Sequence, residues 1–279
     1  MALNVISNFA ANVAHRHLTM SDKEATESVA KLSSGQRVLS AKDDAAALAI
    51  GSKLSADVAG LDQASVNAGQ AVSMLQIADG GMARIQDILV RMKTVSLQAA
   101  SGQLSDDQRD QLDLEYQELI NEIDRIADDT EFSGTKLLDG SFGGGTDVAF
   151  KVGTGDVDTE DDIGIQIESV NANGSGIGAF TNIQTQSQAE AQLGAIDTAI
   201  ETLADIRAEL GADMNRLDFA QEAVATAREN VEAARSQLMD LDVAKEMSHF
   251  TSKQILVQAG TSMLAQANQL PQNLLSLFR

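Results

Sequence analysis

Residues 40–98 read SAKDDAAALAIGSKLSADVAGLDQASVNAGQAVSMLQIADGGMARIQDILVRMKTVSLQ, and this stretch decides the fold. Ser40 followed three residues later by Asp43 is a capping-box pattern, which predicts a helix start there. Behind it, Leu54, Val58, Leu61, Ser65, Ala68, Val72 and Leu75 alternate at four and three residues; the phase shifts at Ala78, and Met82, Ile85, Leu89 and Met92 continue the seam. Sustained 4-3 spacing marks a coiled-coil-like face. Ser101-Gly102 is the expected C-terminal stop, through a left-handed glycine cap. A helix from residue 43 to 100 would be roughly 87 Å long at about 1.5 Å per residue. A compact globule of this chain length is only about 50 Å across, so a rod is expected.

The same spacing returns twice. Ser105-Asp106-Asp107-Gln108 is a second capping box, followed by Leu112, Tyr116, Leu119, Ile123 and Ile126. Ser187-Gln188-Ala189-Glu190 opens a third helix that carries Ile196, Ile200, Leu203, Leu210, Met214, Leu217 and Val224. Three seams of one period imply an antiparallel bundle. Between the second and third, DGSFGGGTD is a glycine-rich turn, Val148, Phe150 and Val152 alternate as in a strand, and Ile163, Ile165 and Ile167 do the same. A hairpin joined by the acidic loop 153–162 is expected, with NANGSGIGAF as the return to the third helix. The fold class is therefore mainly α, a long antiparallel helical bundle or coiled-coil rod with a small β-hairpin region, plus paired terminal helices.

Composition agrees. Among 279 residues there are Pro 1, Trp 0, Cys 0 and 3% aromatics, which argues against a β-sandwich or barrel and excludes disulfides, zinc-thiolate sites and cysteine nucleophiles. The formal charge is −21; residues 1–40 contribute +1 and residues 243–279 contribute +2, leaving −24 for the middle. An acidic body disfavours non-specific binding to nucleic acid or anionic lipid, and the two nearly neutral ends suit burial against something. No apolar run approaches the ~18 residues of a membrane span. MALNVISNFAANVAHRH has neither a basic leader nor a continuous apolar stretch, so a cleavable secretion signal is not expected and export would need another route.

The ends carry stripes of their own. Ile6, Phe9, Val13 and Met20 form one at the N-terminus; Leu256, Met263, Ala267, Leu270, Leu274 and Leu277 form another at the C-terminus, opposed by the neutral Gln254, Gln258, Ser262, Gln266, Gln269 and Asn273. Pro271 is expected to kink or restart that last helix. Neither stripe has a partner within the bundle, so the ends should order only when something covers them.

Chemistry finds little footing. His15, His17 and His249 form no metal-ligand pattern, and no nucleophile elbow, dinucleotide fingerprint or phosphate loop occurs. Asp156, Asp158, Glu160, Asp161 and Asp162 lack the glycine and glutamate that a calcium loop requires at its sixth and twelfth positions. Asn173-Gly174-Ser175 reads equally as a glycosylation acceptor or a plain turn. The residues thus point to a non-enzymatic interaction protein.

Four segments, SVAKLSSGQRVLSAKDDAAALAIGSKL, SVNAGQAVSMLQIADGGM, INEIDRIADDTEFSGTKLLDG and ILVQAGTSMLAQANQLPQNLLSLFR, closely resemble bacterial flagellin, over about residues 1–140 and 190–279. The chain is similar to a minimal member of that family, since the middle leaves no room for a further outer domain. The resemblance implies no cofactor and a secreted, self-assembling subunit of the extracellular flagellar filament that serves swimming. It implies an inner assembly domain built from residues 1–42 and 243–279, and a rod domain with N-terminal helices at 43–140, a hairpin and loop region at 141–186 and a C-terminal helix at 187–242. Its implied partners are further copies of the chain, a flagellar export chaperone, and hook-associated junction and cap proteins, with no nucleic acid and no membrane insertion. The assembly interface is expected at Ile6, Phe9, Val13, Leu256, Met263, Leu270, Leu274 and Leu277. A hook-filament junction protein on the same terminal helices is one alternative and a non-polymerising coiled-coil adhesin another; the AGTSMLAQANQLPQNLLSLFR ending speaks for the filament subunit. The resemblance also maps the family's innate-receptor site onto ILVRMKTVSLQAA. Arg91 and Glu115 match contact positions, whereas Thr94 stands where recognised members carry an acidic residue and Val95 where they carry leucine, which implies a weakened site.

Overall fold

The computed structural model describes residues 8–142, 147–155, 161–172 and 176–277, except the side chains of 270–277. The described elements are α1 (Phe9–Ser34), α2 (Ala45–Ala99), α3 (Asp106–Asp129), the strands β1 (Glu131–Phe132), β2 (Thr135–Lys136), β3 (Val148–Lys151) and β4 (Asp162–Ile165), α4 (Gln186–Met239) and α5 (Val243–Leu277). They form two compact units, one from residues 57–229 and the other from 1–56 with 230–279.

In the unit of residues 57–229 the expected seams meet. Leu75, Met82, Ile85, Leu89 and Met92 of α2, Tyr116 and Ile123 of α3, and Ile196, Leu203 and Leu210 of α4 share one buried cluster. Ion pairs set the directions: Arg91 meets Glu115 on α3 at 2.5 Å, while Lys93 meets Asp197 at 2.5 Å and Arg207 meets Asp79 at 2.7 Å on α4. With Arg109 of α3 also bonded to the Ala99 carbonyl at the end of α2, both helices run antiparallel to α2. Where α2 passes the end of α3 it carries Gly81, and a Cβ there would lie 2.7 Å from Thr130 Oγ1 and 2.9 Å from Leu138 Cδ1. Any larger residue there would force the Thr130 and Leu138 side chains to shift.

The expected hairpin forms with Val148 opposite Ile165 and Phe150 opposite Ile163, so its apolar alternation falls on one face. The tip residues 156–160, the turn 143–146 and the Asn173-Gly174-Ser175 acceptor pattern lie outside the described residues. A second hairpin, β1–β2, escaped the sequence reading: Ser133 (φ 54) and Gly134 (φ 82) make a two-residue turn between Phe132 and Thr135. Ser-Gly flanked by Phe132 and Thr135 was the available signal.

The helix ends depart from expectation in instructive ways. Asp43 Oδ2 accepts from Leu39 N, Ser40 N and Ser40 Oγ, which shapes a turn ahead of α2 rather than its first turn. Those backbone donors hold the Asp43 carboxyl below its usual range. The residue that caps α2 is Asp44, whose Oδ1 accepts from Ala47 N at 2.9 Å. The capping box Ser105–Gln108 forms as read. Thr185 and Gln188 build the corresponding box for α4, two residues before the expected Ser187. At the end of α2, Gly102 is not in the left-handed region. Instead the buried Arg109 donates to the carbonyls of Ala99 (2.9 Å) and Ser101 (3.0 Å).

A buried polar network joins α3 and α4 to the segment between the hairpin and α4. Tyr116 Oη donates to Gln192 Oε1 (3.1 Å), Gln192 Nε2 donates to Thr181 Oγ1 (2.8 Å), and Asp113 Oδ1 accepts from Ile183 N (2.8 Å). Burial pushes the Tyr116 phenol well above its usual pKa, so it remains a donor.

In the second unit α1 and α5 pack against each other and run antiparallel, as Asn8–Ala267, Lys253–Glu24 and Ser28–His249 contacts show. Gly35 (φ 70) ends α1. The next residues pair with the end of α4 as an antiparallel bridge at Gln36 and Asp240, through Arg37 N to Met239 O (2.7 Å) and Leu241 N to Gly35 O (3.0 Å). The backbone of α5 runs on through Pro271 to Leu277, so no restart occurs there.

Candidate assembly interface

The α1–α5 pair has an inner seam and outer stripes. On α1 the shielded positions include Ala11, Ala14, Leu18, Ser21, Ala25, Ser28 and Leu32, spaced by threes and fours. On α5 they are Glu246, Phe250, Lys253, Val257, Gly260, Leu264 and Ala267, in strict 4-3 order. Small residues dominate, so the backbones approach closely: a Cβ on Gly260 would lie 3.5 Å from Leu18 Cβ and 3.2 Å from its Cδ1. A polar stretch interrupts the seam. Lys253 Nζ pairs with Glu24 Oε2 at 2.5 Å and holds that carboxyl below its usual range. The nearly fully buried Ser28 bonds His249 Nδ1 at 3.2 Å.

The apolar residues singled out from sequence lie mostly on the outer stripes. Phe9 is 78% exposed, Met263 62% and Leu256 48%, and Val13 is half-buried. The seam that faces α1 is Phe250, Val257 and Leu264, one position or more out of phase with Leu256 and Met263. Covering a side chain of this size contributes about 1.5–3 kcal/mol when complete, so the uncovered stripe is a strong drive to association. Sequence reading missed Val243, Met247 and Ile255, which are also exposed; an apolar residue every four or so positions outside the main stripe was the available signal. Gln254, Gln258, Ser262, Gln266 and Gln269 are exposed, as an uncharged polar face requires. Ile6 and the side chains of Leu270, Leu274 and Leu277 lie outside the described residues.

The mapped receptor positions divide. Arg91 binds Glu115 through Nε (2.8 Å) and Nη2 (2.5 Å), and Thr94 is exposed, its hydroxyl donating to the Arg91 carbonyl at 2.7 Å. Val95 is only 1% exposed and belongs to the bundle core beside Met92. It therefore offers no surface anchor, shortened or otherwise: on a helix three to four residues separate neighbours of one face, and 95 falls on the seam of 85, 89 and 92.

Among the described residues no group of three or more His, Asp or Glu could hold a metal, and no helix is long and apolar enough to cross a membrane.

The fold is that of a mainly helical protein whose first and last described helices pair with each other. The sequence model of the bacterial flagellin N-terminal helical region matches residues 5–143, and that of the C-terminal helical region matches residues 193–278, so the chain belongs to the bacterial flagellin family. Its middle hairpin falls between the two matches. The flagellar filament 33 kDa core protein of Treponema phagedenis is 38% identical over 281 residues, covering 98% of each chain. The crystal structure of Bacillus cereus flagellin is similar with a TM-score of 0.50 at 31% identity, covering 61% of this chain and 94% of that one. A putative flagellar hook-associated protein from Vibrio parahaemolyticus gives a TM-score of 0.59 at 16% identity, over 71% of this chain and 100% of that one, a likeness of fold alone.

Proposed function

We propose that this chain is a structural subunit that polymerises, without catalysis, into the flagellar filament outside the cell and so serves swimming. The observation that carries this reading is the outer stripe of the α1–α5 pair, where Phe9, Leu256 and Met263 stand in solvent although the helices already cover one another's inner seams. Identical subunits that join through a non-closing contact extend as a helical polymer. In this reading residues 1–42 and 243–279 are the inner assembly domain, 43–140 and 187–242 the rod helices, and 141–186 the hairpin region. The neutral Gln and Ser face of α5 would line a channel without gripping passing chains. An export chaperone would cover the apolar stripe before assembly, and junction and cap proteins would bound the polymer.

Full-length protein seeded with filament fragments should elongate into uniform long filaments under the electron microscope. A hook-filament junction protein, the alternative, would add to fragment ends without elongating, and that outcome would overturn the filament reading.

A further inference from the structure

We propose that Asn8 is a positioning residue that latches the open end of the α1–α5 pair, and that Pro271 creates the site it latches onto. In an α-helix each carbonyl accepts from the N–H four residues ahead. The chain has one proline, at 271, and proline has no N–H, so the carbonyl of Ala267 loses its partner within α5. Ala267 is the one buried residue among the described side chains of α5, and a buried carbonyl left unpaired is costly. Asn8 Nδ2 donates to that carbonyl at 2.8 Å. The same amide uses Oδ1 to accept from Ala11 N at 3.1 Å, which caps the start of α1.

One side chain thus serves an orphan donor of α1 and an orphan acceptor of α5. The opposite end of the pair is tied by the Gly35–Leu241 and Arg37–Met239 backbone bonds, so the latch closes the end that would otherwise fray. The seam between is poor at holding that end. Ala11 and Ala14 are small, and the polar contacts Lys253–Glu24 and Ser28–His249 lie toward the tied end. Phe9, next to Asn8, stands exposed at this end.

The test separates latching from capping. The chain has no cysteine, and Leu18→Cys with Gly260→Cys puts two thiols on Cβ positions 3.5 Å apart, within disulfide range. The rate of disulfide formation in the full-length chain under fixed oxidant then reports closure of this end. Asn8→Asp keeps the cap acceptor and loses the donor; Asn8→Ser keeps a cap but is too short to reach Ala267, and repeats the comparison without added charge. With Pro271 present, and under mild urea that leaves the open form of this end dominant, either substitution should slow trapping about fivefold, the equivalent of about 1 kcal/mol for one hydrogen bond. In Pro271→Ala, whose own N–H satisfies Ala267, the same substitutions should slow it less than twofold. Equal slowing in both backgrounds means that Asn8 only caps α1, and no slowing in either means that it holds nothing; each result overturns the proposal.

Discussion

Arg109 Nε donates to the Ala99 carbonyl at 2.9 Å, so the C-terminal end of α2 is closed by a side chain from the following helix and not by a glycine. The guanidinium is 7% exposed and spends a second nitrogen on Ser101 O; its carboxylate partner Asp106 is 91% exposed. Arg109→Met should therefore cost the 57–229 unit about 2–3 kcal/mol in urea unfolding, because charge-assisted bonds to buried carbonyls are lost. Asp106→Ala should cost under about 0.5 kcal/mol. Equal losses from the two variants would refute the capping role.

Assembly and folding should separate at the outer stripe. Leu256→Asp with Met263→Asp places charge on exposed positions, so monomer unfolding should shift by no more than about 0.5 kcal/mol, while seeded elongation should stop because association would bury those charges. Removing residues 243–279 should likewise leave a helical, cooperatively melting chain that builds no filament. Normal filaments from the double variant would disprove the interface.

Acid should loosen the α1–α5 pair. The hydrogen bond from Lys253 holds the Glu24 carboxyl below the usual glutamate range, so its contribution is fully present above that range and is lost as pH falls through the lower folded value. Thermal unfolding of the α1–α5 pair, followed by circular dichroism, should weaken over that window, and Glu24→Gln should remove the Glu24-dependent part. A profile unchanged by Glu24→Gln would rule out this contact as the cause.

Salt should act in the other direction on assembly. With −24 on the residues between the ends, side-by-side packing opposes like charges, and raising ionic strength from low values shortens their reach. Elongation rates measured by turbidity should rise with moderate salt; a steady fall would contradict the charge argument.

For innate recognition, monomer should give a receptor-reporter response far below that of a strong activator, since Thr94 supplies no charge and Arg91 is already engaged with Glu115. Thr94→Glu should raise the response. Val95→Leu should not, because the extra methylene enters a filled core at a cost of about 1–3 kcal/mol. A strong response from the parent monomer would overturn this.

What the sequence determined by itself was periodicity and sign. Residues 54–92, 112–126 and 196–224 repeat at one spacing, and the strands around Val148 and Ile163 alternate at two, so the bundle, its antiparallel return and the main hairpin were legible from local pattern. Periodicity, however, states which residues share a face and never which face meets a partner. On α5 two apolar stripes compete, and only the close approach of Gly260 to Leu18 turns Phe250, Val257 and Leu264 inward and leaves Leu256 and Met263 outside. The contacts that finish the helix ends lay equally out of reach. Arg109 reaches back to Ala99, and Asn8 crosses 259 positions to Ala267, because a carbonyl without a local donor takes whichever side chain the packed chain brings near, and that neighbour exists only once the helices have met.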